Sequence, residues 1–245
     1  MNRSYYTNAI ILNLKPAGEN NSTVTLLTPD EGIIYATLYG GPKSKLRSLV
    51  ALWHAGKIWL YDNPEKKQTK ISDMEVANYH ASFCQNLFKM YAASLAAELA
   101  IKTRCAGSPR ECFTILSGFL DGMELCDEES SRLGMLRFLW RYLELMGVRP
   151  ETGGSNAFAR DAISYYNVYE NCFTWERDEQ STHLIPVKNE AVQYLAAISE
   201  LSPSQVRRIP VEKSVYEEIK GFVFFLLEKN LESELNTIKT GTGIL

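Results

Sequence analysis

Along the first third of the chain, apolar and polar positions alternate with a period of two. Ser4 to Leu14, Thr23 to Thr28, Ile33 to Tyr39, Leu49 to Tyr61 and Thr69 to Glu75 are β-branched and aromatic runs. The turn signals PAGENN, PDEG, GGPKSK and DNPEKK separate them. Five short strands with no helix between them predict a small closed or partly closed barrel, with an OB-type barrel as the first candidate. This N-terminal domain is expected to span residues 1–77.

After Asn78 the period changes to that of a helix. Residues 80–105 carry apolar side chains at helical spacing, and Ala93, Ala96, Ala97 and Ala100 supply high helix propensity. A second helix is predicted from Pro109 to Met123, with Ser108 as N-cap and Pro109 at the first helical position. A third runs from Glu129 to Met146 and is ended by Gly147 and Pro150. Further helices are predicted near Asn189 to Ser199, Ser204 to Arg208 and Val211 to Leu235. Glu151 to Pro186 reads as irregular and aromatic, a short hairpin or an elaborated loop, and the terminal TGTGIL reads as a flexible tail. The fold class expected is α+β: the barrel, then an all-helical domain over 78–245 with an irregular insertion at about 151–186.

Composition narrows the class without naming a function. With 45% apolar and 22% charged residues the chain is an ordinary globular one. No apolar run approaches the roughly 20 residues that span a bilayer, and MNRSYYTNAIILNLKP is too short and too interrupted for a secretory signal. A cytosolic location is the expectation. Five cysteines, none in a C-x-x-C pair, are read as free thiols. The net charge of −3 argues against a nucleic-acid binder, but residues 1–80 hold nine Lys and Arg against seven Asp and Glu, so the acidic excess lies in the remainder.

Candidate chemistry starts at GGPKSKLRS, where Lys43, Lys45 and Arg47 fall within five residues. Either this is a solvated turn, or the cations are aimed at phosphate oxygens and the glycines let the backbone come close. The spacing is not that of a phosphate-cradling P-loop. Arg3, Lys15 and Lys57 would extend the basic track. Tyr5, Tyr6, Trp53, Trp59 and Tyr61 would either stack bases or pack the barrel. Catalysis has no visible constellation: His54, His80 and His183 are scattered, and the acidic run Asp127 to Glu129 is explained as favourable charge at a helix N-terminus. No enzymatic activity is expected.

The order of several segments resembles one family. R-S-Y at residues 3–5, A-I-I-L, G-E, VTLLTPDEG and YGGPKSKLRSLVAL resemble the start of the RecO family of bacterial recombination mediator proteins. LRFLWRYLELMGVRP and IKGFVFFLLEKNLESELNTIK resemble its helical region. The resemblance implies a protein that binds single- and double-stranded DNA and anneals complementary strands. With its RecR partner it would help RecA recombinase load onto DNA coated with single-strand-binding protein, in a cytoplasmic, nucleoid-associated setting and without a cofactor. It also implies that the acidic, Phe-ended tail of single-strand-binding protein docks on the helical domain, with Leu133, Arg137, Phe138 and Arg141 as the matching residues. Arg137 and Arg141 are four apart and share a helix face. Many members carry a four-cysteine zinc knuckle after the L-G-x-x-P stretch; here that stretch holds only Cys172, so no metal is expected. Two other readings of the residues stay open: a protein-docking adaptor without DNA affinity, and an OB-containing RNA-binding factor.

Overall fold

The computed structural model describes residues 4–41, 44–152, 162–175 and 183–245. The N-terminal strands are β1 (Ser4–Pro16), β2 (Asn21–Thr28), β3 (Gly32–Tyr39), β4 (Ala55–Asn63) and β5 (Gln68–Asn78). They close into a barrel in the order β1-β2-β3-β5-β4. β1 is long enough to serve two neighbours: its first half pairs with β4, from Ser4↔Tyr61 to Ile10↔Ala55, and its second half pairs with β2, out to Pro16↔Ser22. A parallel pairing at Thr37↔Lys70 joins β3 to β5 and shuts the ring.

A bulge between Ile11 and Asn13 shifts the phase of β1. Before it, Ala9 and Ile11 face the barrel interior; after it, Leu14 does. The same shift turns Lys15 outward. The interior is filled by Val24, Leu26, Ala36, Leu38, Ile58, Leu60, Ile71 and Met74. Each fully buried aliphatic side chain contributes about 1.5–3 kcal/mol relative to exposure. Residues 9–12 are all buried because β1 is covered on its outer side as well, where the helix at 87–102 packs on it.

The segment after β3 differs from expectation. Residues Lys45–Leu49 form a short helix, α1, and the next strand begins at Ala55 rather than Leu49. Leu46, Leu49 and Val50, at helical spacing, pack against the barrel core, which is why a basic loop became a helical turn.

The single long helix expected over 80–105 is divided. A 3-10 turn covers Ala81–Gln85, and α2 (Leu87–Lys102) starts where the Asn86 side chain accepts the Lys89 N–H at 2.9 Å. It is followed by three consecutive left-handed residues, Arg104, Cys105 and Ala106. Pro109 opens α3 (Pro109–Leu125) as predicted, and α4 spans Glu128–Leu145. The Ser130 N–H bonds the Asp127 carboxylate at 2.8 Å and holds that acid below its ordinary range, in line with the acidic run being a helix-start feature.

By packing, the chain forms two compact units: residues 1–134 with 235–245, and residues 135–234. In the first, α3 packs on β2 and β3, so helices stay with the barrel beyond residue 77. The C-terminus belongs here too, and the flexible-tail expectation is corrected. Residues Asn236–Thr240 form a helix whose first N–H groups, of Asn236 and Thr237, donate to the Glu98 carboxylate at 2.9 and 2.8 Å. Arg132 Nη1 donates to the Ile244 carbonyl at 3.0 Å, and Leu245 is only 4% exposed.

The second unit contains α5 (Asn189–Glu200), α6 (Pro203–Val206) and α7 (Lys213–Asn230), which makes Asn236–Thr240 α8. It also contains an antiparallel sheet: within 151–186 the short hairpin is the alternative that is found, and a third strand makes this unit mixed, which corrects the all-helical expectation. β6 (Ile163–Asn167), β7 (Cys172–Thr174) and β8 (Leu184–Lys188) pair in the order β7-β6-β8. The Asn167 side chain accepts the N–H groups of Tyr169 and Glu170, and Asn171 adopts a positive φ of 53°, which together make the hairpin turn. Tyr166, fully buried, packs its ring against Phe173, Phe222 and Phe225 and ties the sheet to α7.

Candidate nucleic-acid interface

Register places three chain reversals at one rim of the barrel. Asn21 pairs with Tyr39, so the β1–β2 turn at 17–20 neighbours the exit from β3. Gly40, at φ +118°, makes that exit, and a Cβ there would lie 3.0 Å from the Ser44 side chain. On the other flank, Gln68 Nε2 donates to Thr37 Oγ1 at 3.0 Å, which brings the β4–β5 turn at 64–67 alongside, and α1 packs on β5.

This arrangement collects cations. Lys15, Lys45, Lys66 and Lys67 are exposed. Arg47 is half-buried and its Nη1 donates to the Gly40 carbonyl at 3.4 Å, and the Lys70 ammonium lies 5.1 Å from the Tyr39 ring centroid. Among the described residues none of these six takes part in an ion pair. Glu19, Asp62 and Glu65 are the nearby acids in sequence, and Asp62 already accepts the Thr69 hydroxyl at 2.7 Å. A rim of unpaired cations with few carboxylates attracts phosphate, and its field is set by salt. Lys43 and Arg3, which the sequence singled out, lie outside the described residues.

Lys57 is not brought to this rim. It pairs with Asn8 on β1, seven residues before Lys15 and about 23 Å away along the strand at ~3.3 Å per residue. Its ammonium sits 3.8 Å from the Tyr6 ring centroid and 5.1 Å from that of Trp59, and β5 sets Glu75 and Asp73 beside this face. The five aromatics divide. Trp53 is buried edge-on against Phe83, with centroids 5.8 Å apart, and Tyr5 packs against the barrel core. Burial, and then the charges of Glu31 and Asp62, push the Tyr5 phenol up to about 12, so it stays neutral. Tyr6, Trp59 and Tyr61 keep part of their surface in solvent.

In the second unit, Arg137 and Arg141 come together with Arg207, an arginine that no sequence pattern links to them. Arg137 Nε donates to the Tyr194 hydroxyl at 2.8 Å. Burial first, then the charge of Arg137 and also that of Arg207, hold the Arg141 guanidinium below its ordinary value. Three guanidiniums thus share one neighbourhood, and Glu144, the acid that opposes them there, is itself bonded to Arg149 at 2.7 Å. Tyr194 also lines a cavity of about 420 Å³ with Ala197, Ile209, Pro210, Val211 and Val215, where Glu190 and Glu212 add polar walls. Phe138 is corrected: it is 3% exposed, with its ring 5.6 Å from that of Tyr142, and belongs to the core rather than to a surface. Leu133 is half-buried on α4 and falls within the first unit.

Lys66, Lys67 and Lys70 and the outward tyrosines Tyr35 and Tyr39 are candidates that the structure adds and the sequence expectation does not include. Their signals are present all the same: Y-A-T-L-Y puts both rings on one strand face, and E-K-K-Q-T-K crowds cations at a turn. His80 has a structural role, its Nδ1 2.7 Å from the Trp53 carbonyl and its Nε2 2.8 Å from Asp121. The residues do not fit a four-thiolate zinc site. The stretch 151–186 contains one cysteine, and among the described residues no three His, Cys, Asp or Glu side chains converge.

Comparison with known proteins matches this architecture segment by segment. The family model for the recombination protein O N-terminal region covers residues 1–80, and that for its C-terminal region covers residues 84–238. A DNA repair protein RecO of Synechococcus elongatus is 28% identical over 155 residues, covering 62% of this chain and 58% of that protein. One of Cyanothece is 26% identical over 154 residues, covering 62% and 52%, and one of Acaryochloris marina is 30% identical over 112 residues, covering 45% and 38%. The matched stretch therefore spans little more than half the length of the first two relatives and 38% of the third. With one family model on the barrel and the other on the region that follows, the chain belongs to the RecO family of DNA repair proteins.

Proposed function

We propose that this protein is a recombination mediator that binds single- and double-stranded DNA through phosphates at the barrel rim. It anneals complementary strands and, with RecR, helps RecA replace single-strand-binding protein on DNA. The observation that carries this reading is the set of six unpaired cations, Lys15, Lys45, Arg47, Lys66, Lys67 and Lys70, gathered by three turns at one rim. Annealing needs no bond to be broken: it requires that phosphate repulsion be screened while two strands are held together. The protein is accordingly not an enzyme and works in the cytoplasm, at the nucleoid, without a cofactor.

The arginine group of the second unit suits the acidic, Phe-ended tail of single-strand-binding protein. Arg137, Arg141 and Arg207 would meet its carboxylates, and the cavity beside Tyr194 would take its aromatic end. Docking there raises the effective concentration of the rim at coated DNA. An annealing assay tests the whole reading, run on naked complementary strands and on strands coated with single-strand-binding protein. The wild type is expected to accelerate both. A Lys45, Lys66 and Lys67 triple alanine variant should fail on both, and Arg141→Glu should fail only on coated strands. Failure of the wild type to anneal naked strands would refute the proposal.

A further inference from the structure

Two large rings stand in solvent beside the cationic rim. Tyr35 is 60% exposed and Tyr39 42% exposed, both on the outward face of β3 with Thr37 between them. Their cross-strand neighbours are short: Thr25 opposite Tyr35 and Asn21 opposite Tyr39. Neither is large enough to cover a phenol ring from the β2 side, and on the β5 side it is the Lys70 ammonium that reaches the Tyr39 ring. One exposed aromatic needs no explanation, but two on one face of a strand next to six unpaired cations form a surface of defined chemistry. In OB-type barrels the face of the second and third strands, between flanking loops, is where oligonucleotides lie.

We infer that Tyr35 and Tyr39 form a stacking strip for unpaired nucleobases and that this strip makes the rim prefer single strands to duplex. The inference rests on the phosphate-binding reading of the rim. Four residues of strand separate the rings by about 13 Å, against about 3.4 Å per stacked nucleotide in a duplex strand. Each ring therefore takes its own base, and the strand between them is unstacked. A duplex, whose bases are already paired and stacked, gains nothing from the rings and binds by its phosphates alone. The Lys70 ammonium, 5.1 Å from the Tyr39 centroid, sets a phosphate-seeking charge next to the ring.

The other exposed aromatic face of the barrel lacks this chemistry. Tyr6 is 63% exposed and has Lys57 over its ring at 3.8 Å, as Tyr39 has Lys70, but Asp73 and Glu75 flank Trp59 and Lys57 on the next strand. Carboxylates there repel a phosphate backbone, so the aromatics of β3 are assigned to bases and Tyr6 is not.

Fluorescence anisotropy on the full chain tests this with three labelled probes of equal length: an oligothymidylate, an abasic strand with the same sugar-phosphate backbone, and a duplex. The wild type should prefer the oligothymidylate to the abasic strand. A Tyr35→Ala, Tyr39→Ala variant should lose at least about tenfold on the oligothymidylate, since base–aromatic stacking is worth roughly 1–3 kcal/mol per base. It should change little on the abasic strand and on duplex, and keep the wild-type salt slope. The Tyr35→Phe, Tyr39→Phe variant should bind like the wild type, because the ring and not the hydroxyl is used. A double-alanine variant that binds the oligothymidylate as tightly as the wild type, or that loses equally on all three probes, overturns the stacking strip while leaving the phosphate reading in place. A wild type that binds none of the three overturns the phosphate reading and the strip with it.

Discussion

Each cation of the rim is held differently, and that decides what its removal should do. Lys66 and Lys67 project from a turn with no ionic partner among the described residues, so replacing both by alanine removes field and little structure. Single-strand affinity should fall and the salt slope should become shallower by about 0.7 for each phosphate no longer neutralised, with melting temperature unchanged. Arg47 also bonds the Gly40 carbonyl, so Arg47→Ala should in addition loosen the exit from β3. Phe138 sits at the opposite extreme. Because its ring is buried against Tyr142, Phe138→Ala should cost about 3–5 kcal/mol of stability, read by denaturant unfolding. A Phe138→Ala protein of wild-type stability would return that ring to the surface role the sequence suggested.

Elements differ in how openly the sequence declares them. Most of the strands are legible because a barrel wall with one face inward alternates, as in Y-A-T-L-Y, and because each run ends at a Pro, Gly or Asn turn. The bulge in β1 is not, since A-I-I-L is buried on both sides and shows no alternation. The helix α1 is hidden by its own charge: Lys45 and Arg47 look like a loop, while Leu46, Leu49 and Val50 pack underneath. The hairpin of β6 and β7 is legible only as one of two readings, because aromatic spacing in a short hairpin resembles an elaborated loop, and β8, which joins it from across the intervening residues, has no local signal. The C-terminal helix α8 is concealed for a different reason. Its anchor, Glu98, lies far off in sequence, and no local pattern carries an interaction of that range. Burial alone would raise the Glu98 carboxyl, but hydrogen bonds from Thr237, Lys102 and Asn236 pull it below its ordinary value of 4.5. A depressed acid stabilises the fold above its unfolded value, and that stabilisation is lost as pH falls through the lower folded value. Hydrogen exchange at the Asn236 and Thr237 amides should therefore quicken as pH drops below about 4.5, after correction for intrinsic rates. Glu98→Gln should weaken α8 at neutral pH by about 1 kcal/mol. Protection of those amides that is indifferent to both changes would show that another interaction holds the C-terminus.

At the scale of the whole molecule, two kinds of positive site lie on two compact units of a chain whose formal net charge is −3. An acidic chain that binds DNA must do so through local field rather than overall charge, and local field is screened steeply by salt. The separation of tasks also predicts separable defects: rim variants lose DNA, and arginine variants lose the acidic peptide while keeping DNA. Arg141→Glu should bind a peptide with the acidic, Phe-ended chemistry of the single-strand-binding protein tail at least about tenfold more weakly, with oligonucleotide affinity unchanged. The most direct measurement is the affinity of labelled single-stranded DNA across a salt series, for the wild type and for the Lys45, Lys66 and Lys67 triple alanine variant, with RNA of the same sequence in parallel. Phosphate binding at the rim predicts a linear fall of log affinity with log salt, a weaker and shallower line for the variant, and no preference for RNA. Absence of DNA binding at low salt, parallel lines of equal affinity for the two proteins, or a clear preference for RNA would contradict it.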